Sequence, residues 1–161
     1  MAINLIFINI YLGVILEQVE NSEIPLYPIS SAAKILGISV HTLRMYEKEG
    51  LILPFKKESS HRLYSESDIE RLKCIRRAIN VNKISINGIK AIYSLIPCWE
   101  LTNCSKEDRN NCEAFLSHSQ PCWTFKHLDN ICYNKECRNC KVYKNFTECW
   151  RIKDLITSKV K

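Results

Sequence analysis

Eight of the nine cysteines fall between Cys98 and Cys149, and this clustering divides the chain into two unlike halves. The gaps between successive cysteines in that stretch are 5, 7, 9, 9, 4, 2 and 8 residues, and the intervening chain is rich in Asn and Lys, with Ser and Asp, and has little apolar periodicity. A segment of this kind lacks the hydrophobic area to fold on burial alone, so a covalent or metal staple is expected. Which staple depends on the compartment. Ile3 to Leu16 is apolar, but no Lys or Arg precedes it and no small-residue cleavage site follows before Glu17. It therefore does not read as a secretory signal. A cytoplasmic location is expected, where clustered cysteines bind metal or sense redox state more often than they form structural disulfides.

With 161 residues, 46% of them hydrophobic, the chain can bury one ordinary core or two small ones, which excludes a large multidomain enzyme. No apolar run reaches the roughly 18 to 20 residues needed to span a bilayer, so no membrane partner is expected. Nor does a nucleophile elbow, Walker loop, dinucleotide fingerprint or H-E-x-x-H occur, and an enzyme is not expected. The net charge of +6 is uneven: residues 28–96 carry twelve Lys/Arg against six Asp/Glu, whereas residues 1–27 sum to −3. A basic middle segment points to a polyanion.

The spacing in that segment predicts four helices and a hairpin. Ser30 or Ser31 caps a first helix stopped by Gly37, and Ser39 caps a second that ends at Gly50. Two short helices about a Gly-containing turn make a helix-turn-helix. Leu51 to Phe55 and His61 to Tyr64 read as the strands of a small wing. Ser65 and Asp68 form a capping box opening a third helix, and a fourth runs from Ser85 until Pro97 closes it. Cys74, alone on the third helix, reads as a small core residue. A recognition helix turns polar and basic side chains outward. The DNA-facing set is Ser39, His41, Thr42, Arg44, Tyr46 and Lys48 on the second helix, with Lys56, Lys57, Arg62 and Tyr64 on the wing. Taken singly, these could equally be solvated surface charges.

Three runs carry a family resemblance: Ile29-Ser-Ser-Ala-Ala-Lys-Ile-Leu-Gly37; Thr42-Leu-Arg-Met-Tyr-Glu-Lys-Glu-Gly-Leu51; and Arg62-Leu-Tyr64-Ser with Asp68-Ile-Glu-Arg-Leu72. Together they resemble the MerR family of winged helix-turn-helix transcriptional regulators over residues 28–96. The resemblance implies that His41, Thr42, Arg44 and Tyr46 lie on the recognition helix and Arg62 and Tyr64 on the wing, with double-stranded promoter DNA as partner. Val81-Asn82 followed by Ile86-Asn-Gly-Ile-Lys90 looks more like the heat-shock repressor branch than the mercury or drug sensors. Two departures stand out. Met45 replaces a usual aromatic, and Ser60-His61 stands where the family often places a glycine turn. Family members usually dimerise through a long helix after this domain. Pro97 leaves no room for one, so the expected homodimer needs another contact surface.

In the cysteine half, Pro97-Cys-Trp recurs as Pro121-Cys-Trp and, less completely, as Glu148-Cys149-Trp150. Residues 97–144 thereby resemble a cysteine-rich bacterial module with two Cys-Trp dipeptides, sometimes called a two-CW domain. Only Cys137-Arg-Asn-Cys140 is a C-x-x-C pair, whose tight turn can bring two thiolates to one metal. Lys135, Arg138 and Lys141 are expected to favour its thiolates. The candidate metal ligands are Cys98, Cys104, Cys112, Cys122, Cys132, Cys137 and Cys140. His118 and His127 could each replace one, though a surface position suits both better. Trp99, Trp123 and Trp150 are expected to pack a small core around the metal. The cofactor stays open between zinc and an iron-sulfur cluster, with disulfides or redox-switched thiols as a third reading.

The expected architecture is mainly α with a small β wing, a winged helix-turn-helix, followed by a small Cys-rich metal-stabilised domain. Residues 1–27 would be an apolar extension, 28–96 the DNA-binding domain, 97–149 the Cys-rich module and 150–161 a tail. The expected function is a DNA-binding transcriptional regulator whose Cys-rich module senses metal or redox state. The alternative is a DNA-binding protein whose module is only structural or docks another protein. An oxidoreductase using the thiols for electron transfer is the weakest class.

Overall fold

The structure, a computed structural model, describes residues 22–58, 60–145 and 157. The apolar stretch 3–16, Cys149, Trp150 and all but one residue of the tail lie outside the described residues.

Strand β1 (Tyr27–Pro28) leads into α1 (Ile29–Leu36) and α2 (Val40–Lys48), the helix-turn-helix pair. Pro28 is the N-cap of α1, and neither Ser30 nor Ser31 serves as one; both lie inside the first turn. Gly37 ends α1 in the left-handed region at φ 61°. Ser39 caps α2 as expected, its Oγ accepting from the Thr42 N–H at 3.0 Å. Strands β2 (Phe55–Lys56) and β3 (Arg62–Tyr64) form the wing, and β3 is the centre of a three-stranded antiparallel sheet ordered β1-β3-β2. Tyr27 pairs with Tyr64, and Phe55 with Leu63. Between the wing strands Ser60 takes φ 61°, a left-handed conformation that glycine adopts at less cost.

Helix α3 (Glu66–Asn80) begins with the expected capping box: Ser65 Oγ accepts from the Asp68 N–H, and the Asp68 carboxylate accepts from the Ser65 N–H at 2.9 Å. Helix α4 (Ile86–Ser94) is capped by Ser85 and is followed without a linker by the cysteine half. That half consists of short turns: α5 (Cys98–Leu101), α6 (Lys106–Asn110), α7 (Glu113–Leu116), 3-10 turns at Cys122–Thr124 and Cys137–Asn139, and α8 (Lys141–Lys144). Cys74, buried on α3, is engaged in a disulfide.

Two expectations are corrected here. The first strand of the wing does not begin at Leu51. Leu51 and Ile52 are fully buried, and the Leu53 backbone is occupied elsewhere: its N–H donates to Tyr143 Oη at 2.7 Å and its carbonyl accepts from Arg138. Those bonds replace a sheet ladder. The Cys-rich half, moreover, does not build a small core of its own around the thiols. Trp123, Val142 and Tyr143 join Leu43, Leu51, Ile69, Leu72 and Tyr93 in one continuous hydrophobic cluster. A segment poor in aliphatic residues gains its buried area by sharing the core of the winged half.

Gly50 lies at this junction. Its φ is 72°, and a Cβ placed on it would collide with Thr124 Cγ2. Gly50→Ala is therefore expected to destabilise the chain by more than the roughly 1 to 2 kcal/mol of the left-handed backbone alone, because Thr124 must also move. Urea unfolding midpoints for the two proteins check this, and an unchanged midpoint would mean the approach is not tight.

Candidate functional site

Helix α2 presents His41, Arg44 and Lys48 as exposed residues at helical spacing, with Thr42 half-buried beside them. The Ser39 hydroxyl is exposed but already engaged, as cap and in contact with Thr42 Oγ1 at 2.9 Å. The wing is stapled to this helix by Glu47, whose carboxylate accepts from Arg62 Nε and sits 3.0 Å from Lys56 Nζ. Partial burial works against ionisation of Glu47, yet the hydrogen bonds and charges of Arg62 and Lys56 outweigh it and hold its carboxyl below the usual range. A groove between helix and wing is lined by Arg44, Glu47, Lys48, Lys56, Arg62 and, from the cysteine half, Glu136. Lys57 is exposed at the wing tip.

Two of the expected DNA contacts do not belong to this surface. Tyr64 is fully buried, and burial pushes its hydroxyl pKa strongly upward. Tyr46 is only 6% exposed and packs beneath α2. Both rings belong to the buried hydrophobic cluster, Tyr46 on the inner face of α2 with Leu43 and Tyr64 at the end of β3. The sequence could not separate them from outward residues, since tyrosine suits either environment.

The cysteine half makes a second site. All seven described free thiols, Cys98, Cys104, Cys112, Cys122, Cys132, Cys137 and Cys140, line one recess. Its remaining wall includes Trp99, Phe115, Trp123 and Tyr143, with Arg109 and Lys135 as cations and no carboxylate. Trp99 stands edge-on to Phe115, ring centroids 5.2 Å apart. Thiols spread from residue 98 to residue 140 thus converge, which the uneven gaps alone did not establish. Among the described residues no three His, Cys, Asp or Glu side chains are already drawn to one point as a metal cage. His127 uses its Nε2 on the Cys122 carbonyl at 3.0 Å and its Nδ1 with Asn130, so it fixes the loop. His118 is exposed and outside the recess.

The Cys98 and Cys122 thiols shift one another in opposite directions. Hydrogen bonding to Cys122 holds the Cys98 thiol low, and the same bond with burial drives Cys122 high. Burial raises Cys132 to about 11, and raises Cys137, next to Cys140, as well. The expected help from Arg138 and Lys141 is absent: Lys141 is exposed, and Arg138 turns away from the thiols. Lys135 does favour the Cys132 thiolate, and Arg109, which sequence reasoning missed, favours that of Cys98.

What Arg138 does instead ties the two halves together. Its guanidinium forms a bidentate pair with Asp68, at 2.6 and 3.1 Å, and also donates to the Leu53 carbonyl. Burial opposes the charge on Arg138, but the hydrogen bond and charge of Asp68 outweigh it and raise its pKa. Arg71 of α3 lies 3.7 Å above the Tyr143 ring and donates to the Tyr143 carbonyl. The indole N–H of Trp123 donates to the Gly50 carbonyl at 2.7 Å, just past the end of α2. Each of these tethers is a residue adjacent to, or within three positions of, a thiol that lines the recess.

Comparison with known proteins matches residues 27–95 to the MerR HTH family regulatory protein model. Over 68 residues, 42% of this chain and 52% of the relative, the sequence is 46% identical to a protein of Haemophilus influenzae described as a heavy metal-dependent transcriptional regulator. It is 37% identical over 73 residues to a protein of Streptomyces coelicolor described as heat shock protein HspR, covering 45% of this chain and 48% of that one. A heavy metal-dependent transcription regulator 1 of Rhizobium meliloti is 29% identical over 127 residues, 71% of this chain and 82% of the relative. The chain spans about half the length of the first two relatives.

Proposed function

Residues 27–95 are a MerR-family helix-turn-helix domain, and from that premise we propose that the chain is a promoter-binding transcriptional regulator, not an enzyme, whose thiol recess takes a soft metal and adjusts DNA binding. The observation that carries this reading is the convergence of seven thiols on one recess whose neighbouring residues hold the DNA-reading half. Thiolate-only donor sets select zinc, copper(I) or iron-sulfur centres over hard ions. A change in the recess moves Trp123 and Arg138, and these contact the end of α2 and the start of α3.

His41, Arg44 and Lys48 would face the major groove and Lys56, Lys57 and Arg62 the backbone, with Thr42 and Ser39 at the helix entry. Two copies would be needed to cover a two-fold site, in the cytoplasm. No described helix is long and apolar enough to cross a membrane.

The test is a titration of duplex DNA, selected from a random library, with protein purified anaerobically, then chelated, then reloaded with metal. A change in affinity on chelation that metal reverses supports the regulator. Identical affinity in all three forms favours the second reading, a module that only braces the winged half; the buried Arg138–Asp68 pair, which requires no metal, is the observation in its favour. Arg44→Ala is expected to weaken binding by about 1 to 3 kcal/mol, and Lys57→Ala to weaken it evenly across sequences while reducing the salt slope by about 1. Fluorescence anisotropy at several salt concentrations measures both, and wild-type curves for the double variant would remove these residues from the interface.

A further inference from the structure

The recess has a size and an internal division that say more about its occupant than the number of its thiols. A single zinc ion sits about 2.3 Å from each of four thiolate sulfurs, which leaves nothing water-sized between them. Here the walls enclose about 40 Å³ open to water-sized bodies, whereas about 10 to 15 Å³ of such space suffices for one water. Room for several atoms lies inside a shell of thiols.

The seven thiols fall into two groups. Cys98, Cys122, Cys137 and Cys140 pack against the common hydrophobic core, on the side of Trp123 and Tyr143. Cys122 is within electrostatic reach of the other three, Cys98 foremost and then Cys137 and Cys140. The Cys140 N–H donates to the Cys137 carbonyl at 3.1 Å, the tight turn that sets that pair of sulfurs side by side. Cys104, Cys112 and Cys132 also line the recess, but none of them packs against the core cluster, and they form its outer wall. Arg109 braces this wall by donating to the Cys104 carbonyl at 3.1 Å. Aromatic rings line much of the interior, and no carboxylate is present to favour a hard ion.

We infer that the recess holds a polynuclear iron-sulfur cluster of the cubane type, ligated by Cys98, Cys122, Cys137 and Cys140, with Cys104, Cys112 and Cys132 as non-ligating thiols of the outer wall. This rests on the metal-binding reading above and gives that metal its chemical class and its ligands. Arg109 and Lys135 offset the negative charge that four thiolates bring. The Cys122 and Cys137 positions set the occupant one residue from Trp123 and Arg138, the two tethers to the DNA-reading half.

The chain is purified without oxygen, incubated with equal amounts of ferrous and ferric iron plus sulfide or with zinc alone, and assayed for metal, acid-labile sulfide and visible absorption. The expected result is roughly four iron and four sulfide per chain with a broad visible charge-transfer band. That band is lost in Cys122→Ser and in Cys140→Ser, and kept in Cys104→Ser and Cys132→Ser. Far-ultraviolet dichroism of each variant separates loss of the cluster from loss of the fold, and Cys140→Ser, in a half-buried turn, is the variant on which the assignment stands if Cys122→Ser does not fold. One tightly held zinc with no bound sulfide overturns the cluster while leaving a metal-responsive regulator standing. A chain that takes up neither zinc nor iron overturns both. Loss of the band in the outer-wall variants with retention in Cys140→Ser overturns the choice of ligands.

Discussion

Arg138→Ala is expected to lower the stability of the chain by about 3 to 5 kcal/mol, the usual cost of leaving one partner of a buried ion pair without its counter-charge. The pair is well shielded: side-chain exposure is 10% for Arg138 and 4% for Asp68. The Asp68 carboxylate also accepts from the Ser65 N–H to close the capping box of α3, so its loss of Arg138 is felt at the start of the helix that follows the wing. The Leu53 carbonyl loses a donor at the same time. At about 2 to 4 °C per kcal/mol for a chain of this size, the midpoint should fall by roughly 6 to 20 °C. The double variant Asp68→Asn with Arg138→Met should recover much of the loss, since removing both charges spares the desolvation penalty that a lone one suffers. Calorimetry of the three proteins decides it. A single variant that melts within a degree or two of the parent would mean that the pair does not hold the halves together.

Trp123→Ala is expected to cost a similar 3 to 5 kcal/mol, by cavity formation. Trp123 is 6% exposed and is wedged between Tyr93 of α4, ring centroids 5.5 Å apart, and Tyr143 of α8 at 5.3 Å. Its indole N–H is the donor to the Gly50 carbonyl. Trp123→Phe keeps most of the ring packing and loses that bond, which should cost about 0.5 to 1.5 kcal/mol and a smaller cavity term. The two variants together separate packing from hydrogen bonding. If denaturant unfolding gave the Ala variant the small loss expected of Phe, Trp123 would be peripheral to the core and not its keystone.

Both predictions concern contacts that the sequence did not disclose. Asp68 was legible as a capping residue because its partner Ser65 is three residues away. Its bond to Arg138 spans 70 residues, and nothing in a C-x-x-C turn says that the arginine inside it faces away from the sulfurs. Gly50 reads as a helix stop from its place after Lys48. Only the approach of Thr124 and Trp123 shows that the same glycine also admits the cysteine half. Tyr46 and Tyr64 illustrate the reverse error. Motif position put them at the DNA, but a tyrosine in a motif serves packing as readily as contact, and burial decides between them.

The sequence by itself determined the local pieces. Ser39, Ser65 and Ser85 cap the helices at the expected sites, and Gly37 ends α1. The crowding of eight of the nine cysteines into one stretch was equally plain. Those features depend on neighbours within a few residues, or on composition, and a linear reading contains both. The tertiary structure alone decided that the halves share one core, that seven unevenly spaced thiols meet at one recess, and that Arg138, Trp123 and Tyr143 bind the winged half. The reason is physical: a cysteine-rich segment too poor in aliphatic side chains to bury itself must borrow surface from a partner, and which surface it borrows depends on shape and hydrogen-bond complementarity across some 70 to 90 residues of intervening chain.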